Sequence, residues 1–357
     1  MRYALIGCGR IAPKHIQAIM ENGVIPAAVC DLSDDKANLL LEEFGLSGKT
    51  AVYTDYRLML QEVSPNITAI AIPSGGHAQA AVECLKNSSS VILEKPAALS
   101  MKELSQLKKA QCDTGLRIGV CHQNRFNPPV RRLKKALQEN RLGKISHISL
   151  QVRWYRDKDY YSQAAWRGRW DQDGGILMNQ CIHGIDLLNY MMNCRPISVK
   201  GVIQNRFHPY IQAEDVGAAI ISYENGALGI VEGTGNVYPE NLEETLCVFG
   251  EKGTVCLGGY ALEKVELWRV NGEPFEKNIS ILNTAPQNVY GSGHSELYRE
   301  FISAVKSGEA SIVDLSQTAQ AVELVLAIYK SHKTRQEVFL PLDDFSTREM
   351  EGSFGKA

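Results

Sequence analysis

No stretch of about 18 or more apolar residues occurs in the 357-residue sequence, so no membrane-spanning helix is expected. The start lacks the charged head and apolar stretch of a secretory signal; Tyr3-Ala4-Leu5-Ile6 already reads as a strand. The nine cysteines are scattered and contain no C-x-x-C pair. An odd count without an export signal argues for reduced thiols in a cytoplasmic protein, with Cys8 and Cys121 as small core fillers. Excess positive charge is missing too: the net charge is -2, so nucleic acid is not an expected partner. The basic cluster Arg131-Arg132-Leu133-Lys134-Lys135 reads as the solvated face of a helix. Internal repeats and low-complexity linkers are absent. At 44% hydrophobic and 22% charged residues the composition excludes disorder and leaves a soluble globular chain, long enough for two domains.

The first 120 or so residues alternate short apolar strands with helical stretches. Ala4-Leu5-Ile6, Pro26–Cys30, Thr68–Ile72, Ser90–Leu93 and Arg117–Cys121 are the strands; Pro13–Asn22, Asp34–Phe44 and His77–Lys86 are helices. Apolar strands joined by helices imply a parallel sheet covered on both faces. From Ile145 to Trp154 polar and apolar residues alternate, and further strands follow at 197–204, 216–223, 227–233, 244–249, 254–258 and 264–269. Hairpin signals such as Asn225-Gly226 and Lys252-Gly253 separate several of them. The expected fold is an α/β chain: a doubly wound parallel sheet in residues 1–121, then an α+β domain in 122–357 built on a large, mainly antiparallel open sheet. An apolar-periodic helix, 316–330, and a strand, 338–342, close it.

Gly7-Cys8-Gly9-Arg10-Ile11-Ala12 fits G-x-G-x-x-[G/A] between the first strand and the first helix. The first glycine allows the tight turn, the second lets a pyrophosphate approach the backbone, and Ala12 lets helix and strand pack closely. The motif alone is weak, because any α/β protein can carry a glycine turn. Context strengthens it: the second strand ends in Asp31, 22 residues after Gly9, where a carboxylate is expected to bind the adenosine ribose. A carboxylate there repels a 2′-phosphate, and Leu32-Ser33-Asp34-Asp35 supplies no arginine to neutralise one, so NAD is expected over NADP.

The strand Val91-Ile92-Leu93 ends in Glu94-Lys95-Pro96, at a carboxyl end where open sheets place ligands; a surface ion pair is the plain alternative. Asp173-Gly174-Gly175 leads into a helix carrying Asn179, His183 and Asp186, with Asn179 and His183 at i and i+4 on one face. A buried helix with a satisfied histidine is the alternative there. The His183/Asp186 spacing lacks a third ligand, so no metal is expected.

This ordered set resembles the Gfo/Idh/MocA oxidoreductases: the glycine fingerprint, Pro73-Ser74-Gly75-Gly76-His77, Glu94-Lys95-Pro96, then Gly174-Gly175 and the Asn179/His183 face. The resemblance covers nearly the whole chain. Most of the family has aspartate where this chain has Asn179. Within the family, Gln123-Asn124-Arg125-Phe126-Asn127, Tyr160-Tyr161, Trp166-Arg167-Gly168, Met178-Asn179-Gln180 with His183, and 238–243 are similar to UDP-N-acetylglucosaminuronate 3-dehydrogenases of surface-polysaccharide (lipopolysaccharide) assembly. The resemblance implies cofactor contacts from Gly7, Gly9, Arg10, Ile11, Asp31, Pro73, Ser74, His77, Glu94, Lys95, Gln123, Trp166 and Arg167. It implies sugar contacts from Lys95, Arg125, Tyr160, Asn179, Gln180 and His183, with Tyr238, Asn241 and Tyr290 as further candidates.

The implied reaction moves hydride from the sugar C3′ to NAD while a base takes the hydroxyl proton. A base works best near the operating pH; His183 is close to it at about 6.5, whereas Lys95 must drop several units from about 10.4. Asn179 cannot take a proton, so it orients. His183 as base with Lys95 on the reacting oxygen is the expected division, and the two roles could be exchanged. A free-sugar or inositol dehydrogenase of the same family, and a regulator that binds NAD without reducing it, are the competing readings. A homo-oligomer, dimer or tetramer, is expected by analogy.

Overall fold

The computed structural model describes residues 1–272 and 293–354. They divide into two compact units: Met1–Ala98 with Lys102–Cys121 and His294–Ala319, and Leu99–Met101 with His122–Gly293 and Gln320–Ala357. Two continuous domains, 1–121 and 122–357, therefore do not describe the division, because a late segment belongs to the first unit.

The first unit runs β1 (Tyr3–Ile6), α1 (Ala12–Glu21), β2 (Ala28–Cys30), α2 (Asp34–Glu43), β3 (Ala51–Tyr53), α3 (Tyr56–Val63), β4 (Ile67–Ile70), α4 (His77–Lys86), β5 (Ser90–Leu93), α5 (Met101–Thr114) and β6 (Ile118–Val120). The strands pair in parallel in the order β3-β2-β1-β4-β5-β6. Residues of β1, β4 and β5 are at most 3% exposed, as a sheet covered on both faces requires. Each Leu or Ile so buried contributes about 1.5–3 kcal/mol. The order turns back between β1 and β4, and their carboxyl ends form the switch point where doubly wound sheets take ligands.

The second unit holds α6 (Pro128–Gln138), β7 (Ile145–Arg153), α7 (Lys158–Ser162), α8 (Ile176–Asn179), α9 (Ile182–Met192), β8 (Pro196–Gln204), β9 (Val216–Tyr223), β10 (Leu228–Thr234), β11 (Glu243–Gly250), β12 (Gly253–Gly258) and β13 (Lys264–Val270). Then come α10 (His294–Ser307), α11 (Leu315–Thr334) and β14 (Val338–Phe339). Eight strands form one sheet, β13-β12-β11-β7-β10-β9-β8-β14, antiparallel except for the β7/β10 pair. Inward positions are buried along β7–β11, and outward ones are half-buried on β7 and β11 and largely exposed on β8–β10, so the alternation seen in the sequence is a sheet with one covered face. α9 lies on the covered face, where Gly184 leaves room for Leu150 of β7.

Four expectations are corrected. The helix carrying Asn179 and His183 is broken: α8 stops at Asn179 and α9 starts at Ile182, so the two residues do not share a regular i, i+4 face. The Cys181 N–H reaches back to the Ile176 carbonyl, skipping a residue in the ladder. The thiols are not all reduced. Cys247 and Cys256 sit opposite each other on β11 and β12, Cα atoms 4.1 Å apart, and form a disulfide. Lys134 is not on a solvated face; its Nζ donates to the Tyr190 carbonyl (2.5 Å) above the Tyr190 ring, and burial lowers its pKa to about 8. Lastly, α10 belongs to the first unit: Phe301 fills the space over Gly119 of β6, and Tyr298 bonds Tyr3 of β1 (2.9 Å).

Candidate active site

The cofactor end of the first unit is built by the turn after β1. Gly7 has φ +96°, and a Cβ there would run into the Ala71 carbonyl, so the turn requires glycine. Gly9 looks onto open space, and the N-cap of α1, Ile11, makes no side-chain hydrogen bond; the Ala12 and Lys14 N–H groups close onto the Gly9 and Ile11 carbonyls (3.0 Å each), so it is the glycine turn itself that is open to a diphosphate. Arg10 is exposed and Ile11 half-buried beside it. Asp31, at the end of β2, accepts from the Cys8 N–H (2.8 Å) and the Ser33 N–H (3.0 Å), which fixes its carboxylate beside the glycine turn. Pro73 is exposed and Ser74 buried at the end of β4. These residues fit a dinucleotide whose diphosphate meets the turn and whose ribose meets Asp31.

Two residues expected to touch the cofactor are committed elsewhere. His77 is 1% exposed, with Nδ1 2.7 Å from the Pro96 carbonyl and Nε2 2.8 Å from the Ile72 carbonyl. Glu94 is 8% exposed; Oε1 accepts from His15 Nε2 (3.1 Å) and Oε2 from the Lys95 N–H (3.2 Å). Burial raises the Glu94 pKa, but the His15 hydrogen bond and charge, with His294 and Lys95, outweigh it and hold the group well below the carboxylate range. His15, Glu94 and Cys121 offer donor atoms within 4.8 Å of one another. Both His15 nitrogens are already taken, by Tyr298 (2.6 Å) and Glu94, which makes this a hydrogen-bonded chain. Lys95 is half-buried at the end of β5.

In the second unit a polar network gathers around α8. Gln180 donates to Tyr160 Oη and Asn179 Oδ1 (2.8 Å each) and accepts from Arg156 (2.7 Å). Asn179 in turn donates to Asp173, which also accepts from the Gly168 N–H (2.8 Å). Arg167 lies over the Tyr160 ring, 4.1 Å from its centroid, with half-buried Trp166 beside it. Asn241 accepts from the Tyr155 N–H (2.9 Å) and Arg156 (3.1 Å), and the Tyr238 ring is 85% exposed. His183 meets the His122 ring edge-on at 5.5 Å, and His122 lies 3.6 Å from Asp186.

Arg125, expected at the sugar, is buried in an ion pair. It is 1% exposed, and Nε and Nη2 donate to Asp186 (2.7 and 2.6 Å) while the guanidinium covers the Tyr190 ring. A bidentate buried pair holds the helix instead of presenting a charge to a sugar. Gln123 is 3% exposed in the turn that precedes α6. Tyr290 lies outside the described residues.

Several residues escaped the sequence. Arg156 follows β7 and joins Gln180 to Asn241, yet it reads only as a charge after an alternating strand. Glu214 is fully buried beneath the Gly174-Gly175 turn; Oε1 accepts from the Leu177 N–H (3.0 Å) and Tyr329 Oη (2.8 Å). Burial raises its pKa to about 8, and the hydrogen bonds from Leu177 and Tyr329 offset only part of this. Gly175 must be glycine because a Cβ would occupy the space of the Glu214 carboxyl.

Comparison with known proteins agrees with both halves. Residues 1–122 match the oxidoreductase family with an NAD-binding Rossmann fold, and residues 130–256 match the GFO/IDH/MocA C-terminal domain. The WlbA dehydrogenase of Bordetella pertussis, solved with NADH and UDP-GlcNAcA, is 32% identical over 96% of this chain and 99% of its own, with a TM-score of 0.85. The Chromobacterium violaceum WlbA dehydrogenase, solved with the same two ligands, is 31% identical over 96% of each chain, TM-score 0.86. Myo-inositol 2-dehydrogenase of Thermotoga maritima is 23% identical over 95% of this chain and 98% of its own.

Proposed function

This chain belongs to the Gfo/Idh/MocA oxidoreductases and is an NAD-dependent sugar or polyol dehydrogenase, and from that premise we propose that it oxidises the C3′ hydroxyl of a UDP-sugar uronate. The observation that carries this reading is likeness above 30% identity, across almost the whole chain, to two dehydrogenases solved with UDP-GlcNAcA. The Tyr160–Gln180–Asn179 network, with Arg156 beside it, supports it chemically, since hydroxyls and an anionic sugar nucleotide need such donors.

Held by the Gly7–Gly9 turn and Asp31, NAD would supply the hydride acceptor for oxidation of the C3′ carbon. The hydroxyl proton goes to His183 Nε2 or Nδ1, and Lys95 hydrogen-bonds the oxygen and stabilises its developing negative charge. Asn179, held by Asp173 and Gln180, orients the sugar. Trp166 and Arg167 are assigned to the cofactor side, Tyr160 and Gln180 to the sugar. The product is a 3-keto sugar, made for surface-polysaccharide assembly in the cytoplasm. The outward face of the large sheet, with Val202 and Ile220 over 50% exposed, suits covering by a second copy of the chain in a homo-oligomer.

The test is formation of reduced cofactor from NAD on adding UDP-N-acetylglucosaminuronate. Turnover that disappears when UDP is omitted from the sugar is expected. Equal turnover with myo-inositol would favour the inositol reading that the Thermotoga relative suggests, and NAD binding without any reduction would favour a regulator.

A further inference from the structure

The end of β5 carries more structure than a lysine on a strand needs. Four side chains from distant parts of the first unit form one buried line: Tyr3 of β1, Tyr298 of α10, His15 of α1 and Glu94. The steps are 2.9 Å (Tyr3 Oη to Tyr298 Oη), 2.6 Å (Tyr298 Oη to His15 Nδ1) and 3.1 Å (His15 Nε2 to Glu94 Oε1). Each of the four is at most 8% exposed. Burial raises both phenols, so they stay protonated. In the sense Tyr3 to Tyr298 to His15 to Glu94, each of the first three groups donates once and the line ends on the Glu94 carboxylate. The other titratable neighbours of that carboxylate do not compete for the role. Burial keeps Cys121 a thiol and lowers His294, edge-on to His15 at 6.0 Å, to about 4.

The line stops at the residue before Lys95. Glu94 Oε2 accepts from the Lys95 backbone N–H (3.2 Å), and on the other side of Lys95 the Pro96 carbonyl meets His77 Nδ1 (2.7 Å). His77 Nε2 also lies 2.8 Å from the Ile72 carbonyl at the end of β4; burial lowers the His77 pKa, so a neutral ring donates to one of the two carbonyls while packing between the two strand ends. Nothing in the proposed reaction uses His15, His77, Tyr298 or Tyr3.

We propose that His15, through Glu94, and His77, through Pro96, are positioning residues that clamp the backbone on both sides of Lys95 and so set where its ammonium group can reach. The inference rests on Lys95 acting in the reaction proposed above. It also explains why Glu94 and His77 sit among cofactor-binding motifs while both are turned into the protein. A misplacement of about 1 Å can cost about 100-fold in rate.

The test uses the full-length protein with His15→Phe, His15→Gln, Glu94→Gln, His77→Phe and Tyr298→Phe. The readouts are kcat, NAD affinity by direct titration, and the acylation rate of Lys95 relative to exposed Lys109 in protein free of substrate, mapped by mass spectrometry. For His15→Phe, Glu94→Gln and His77→Phe the expectation is a kcat loss approaching about 100-fold, little change in NAD affinity, and a several-fold change in Lys95 acylation. His15→Gln, which can still donate to Glu94, restores both. Tyr298→Phe, which removes one hydroxyl from the line, shows a weaker version of the same pattern and serves if His15→Phe does not fold. Unchanged Lys95 acylation with unchanged kcat overturns the clamp. So does an NAD affinity that falls in step with kcat, which would make Glu94 or His77 a cofactor contact. If the unsubstituted protein reduces no NAD with any UDP-uronate, the functional reading fails, and the acylation arm still decides the clamp.

Discussion

Each unit buries a glutamate next to a segment of the site, and the two glutamates are in opposite states. Glu94, beside Lys95, faces His15 and stays ionised although burial opposes it. Glu214, beneath Gly175 and α8, accepts from a backbone N–H and the Tyr329 hydroxyl, and burial raises it to about 8. Burial is alike in the two; a base within reach of the carboxyl is what differs. A charge is kept only where a partner compensates its lost hydration. The first unit thus anchors its site segment with an ionised acceptor, the second with an acid that is neutral through most of the physiological range.

The largest effects should separate the reacting groups of the two units. Lys95→Met and His183→Asn are each expected to slow single-turnover NADH formation by about 100- to 10,000-fold. A His183→Asn enzyme with near-normal rate would move the base role out of the second unit, to Lys95.

Stability should rank the anchors next. Asp186→Ala leaves Arg125 buried without its counter-charge and is expected to cost about 3–5 kcal/mol in urea unfolding. Tyr298→Phe, which removes a hydrogen bond from the Glu94 line but no charge, should cost about 1–3 kcal/mol. Equal losses would mean that the Arg125–Asp186 pair holds less than its geometry suggests.

The pH dependence of stability should differ in sign between the units. Glu94 is lowered, so its contribution is present above the ordinary carboxylate value of 4.5 and is lost as pH falls below it. Glu214 is raised: between 4.5 and about 8 the folded protein holds a proton that the unfolded chain has released. Stability therefore falls as pH rises through that window, by at most about 1.4 kcal/mol per pH unit. Glu214→Gln should flatten this slope while leaving the acid limb unchanged. Glu244, raised to about 8 by burial and then by Glu263, contributes a second slope of the same sign that persists in the variant. A slope untouched by Glu214→Gln would mean that the carboxyl is ionised after all.

The smallest effect concerns the cofactor alone. Asp31→Ser should narrow the preference for NAD over NADP by about tenfold, or 1.4 kcal/mol, because a 2′-phosphate no longer meets a carboxylate; comparative titration checks it. Tighter binding of NADP than NAD to the unsubstituted protein would overturn the role of Asp31.

Much of the first unit is legible in the sequence because its signals are local. A turn that needs φ +96° at Gly7, an acidic residue at a strand end and all-apolar strands announce themselves within a few dozen residues. The second sheet is legible by its two-residue alternation. The break between α8 and α9 is not, since 176–188 reads as a continuous apolar helix and only the Cys181 N–H bonding the Ile176 carbonyl shows where the ladder slips. Arg125 misleads for a related reason. An arginine in a motif reads as an anion binder until Asp186, 61 residues away, is seen to hold it.

The sequence by itself determined the glycine turn, Asp31, the end of β5 at Glu94-Lys95-Pro96 and the type of each sheet, because these rest on backbone sterics and on periodicities shorter than one element. Only the tertiary structure decided what those residues face. Glu94 is ionised because α1 brings His15 from 79 positions away and α10 brings Tyr298 to back it; Glu214 is neutral because burial is not offset by a base among the described residues. Charge state depends on neighbours in space, and those are set by which helices return to which sheet.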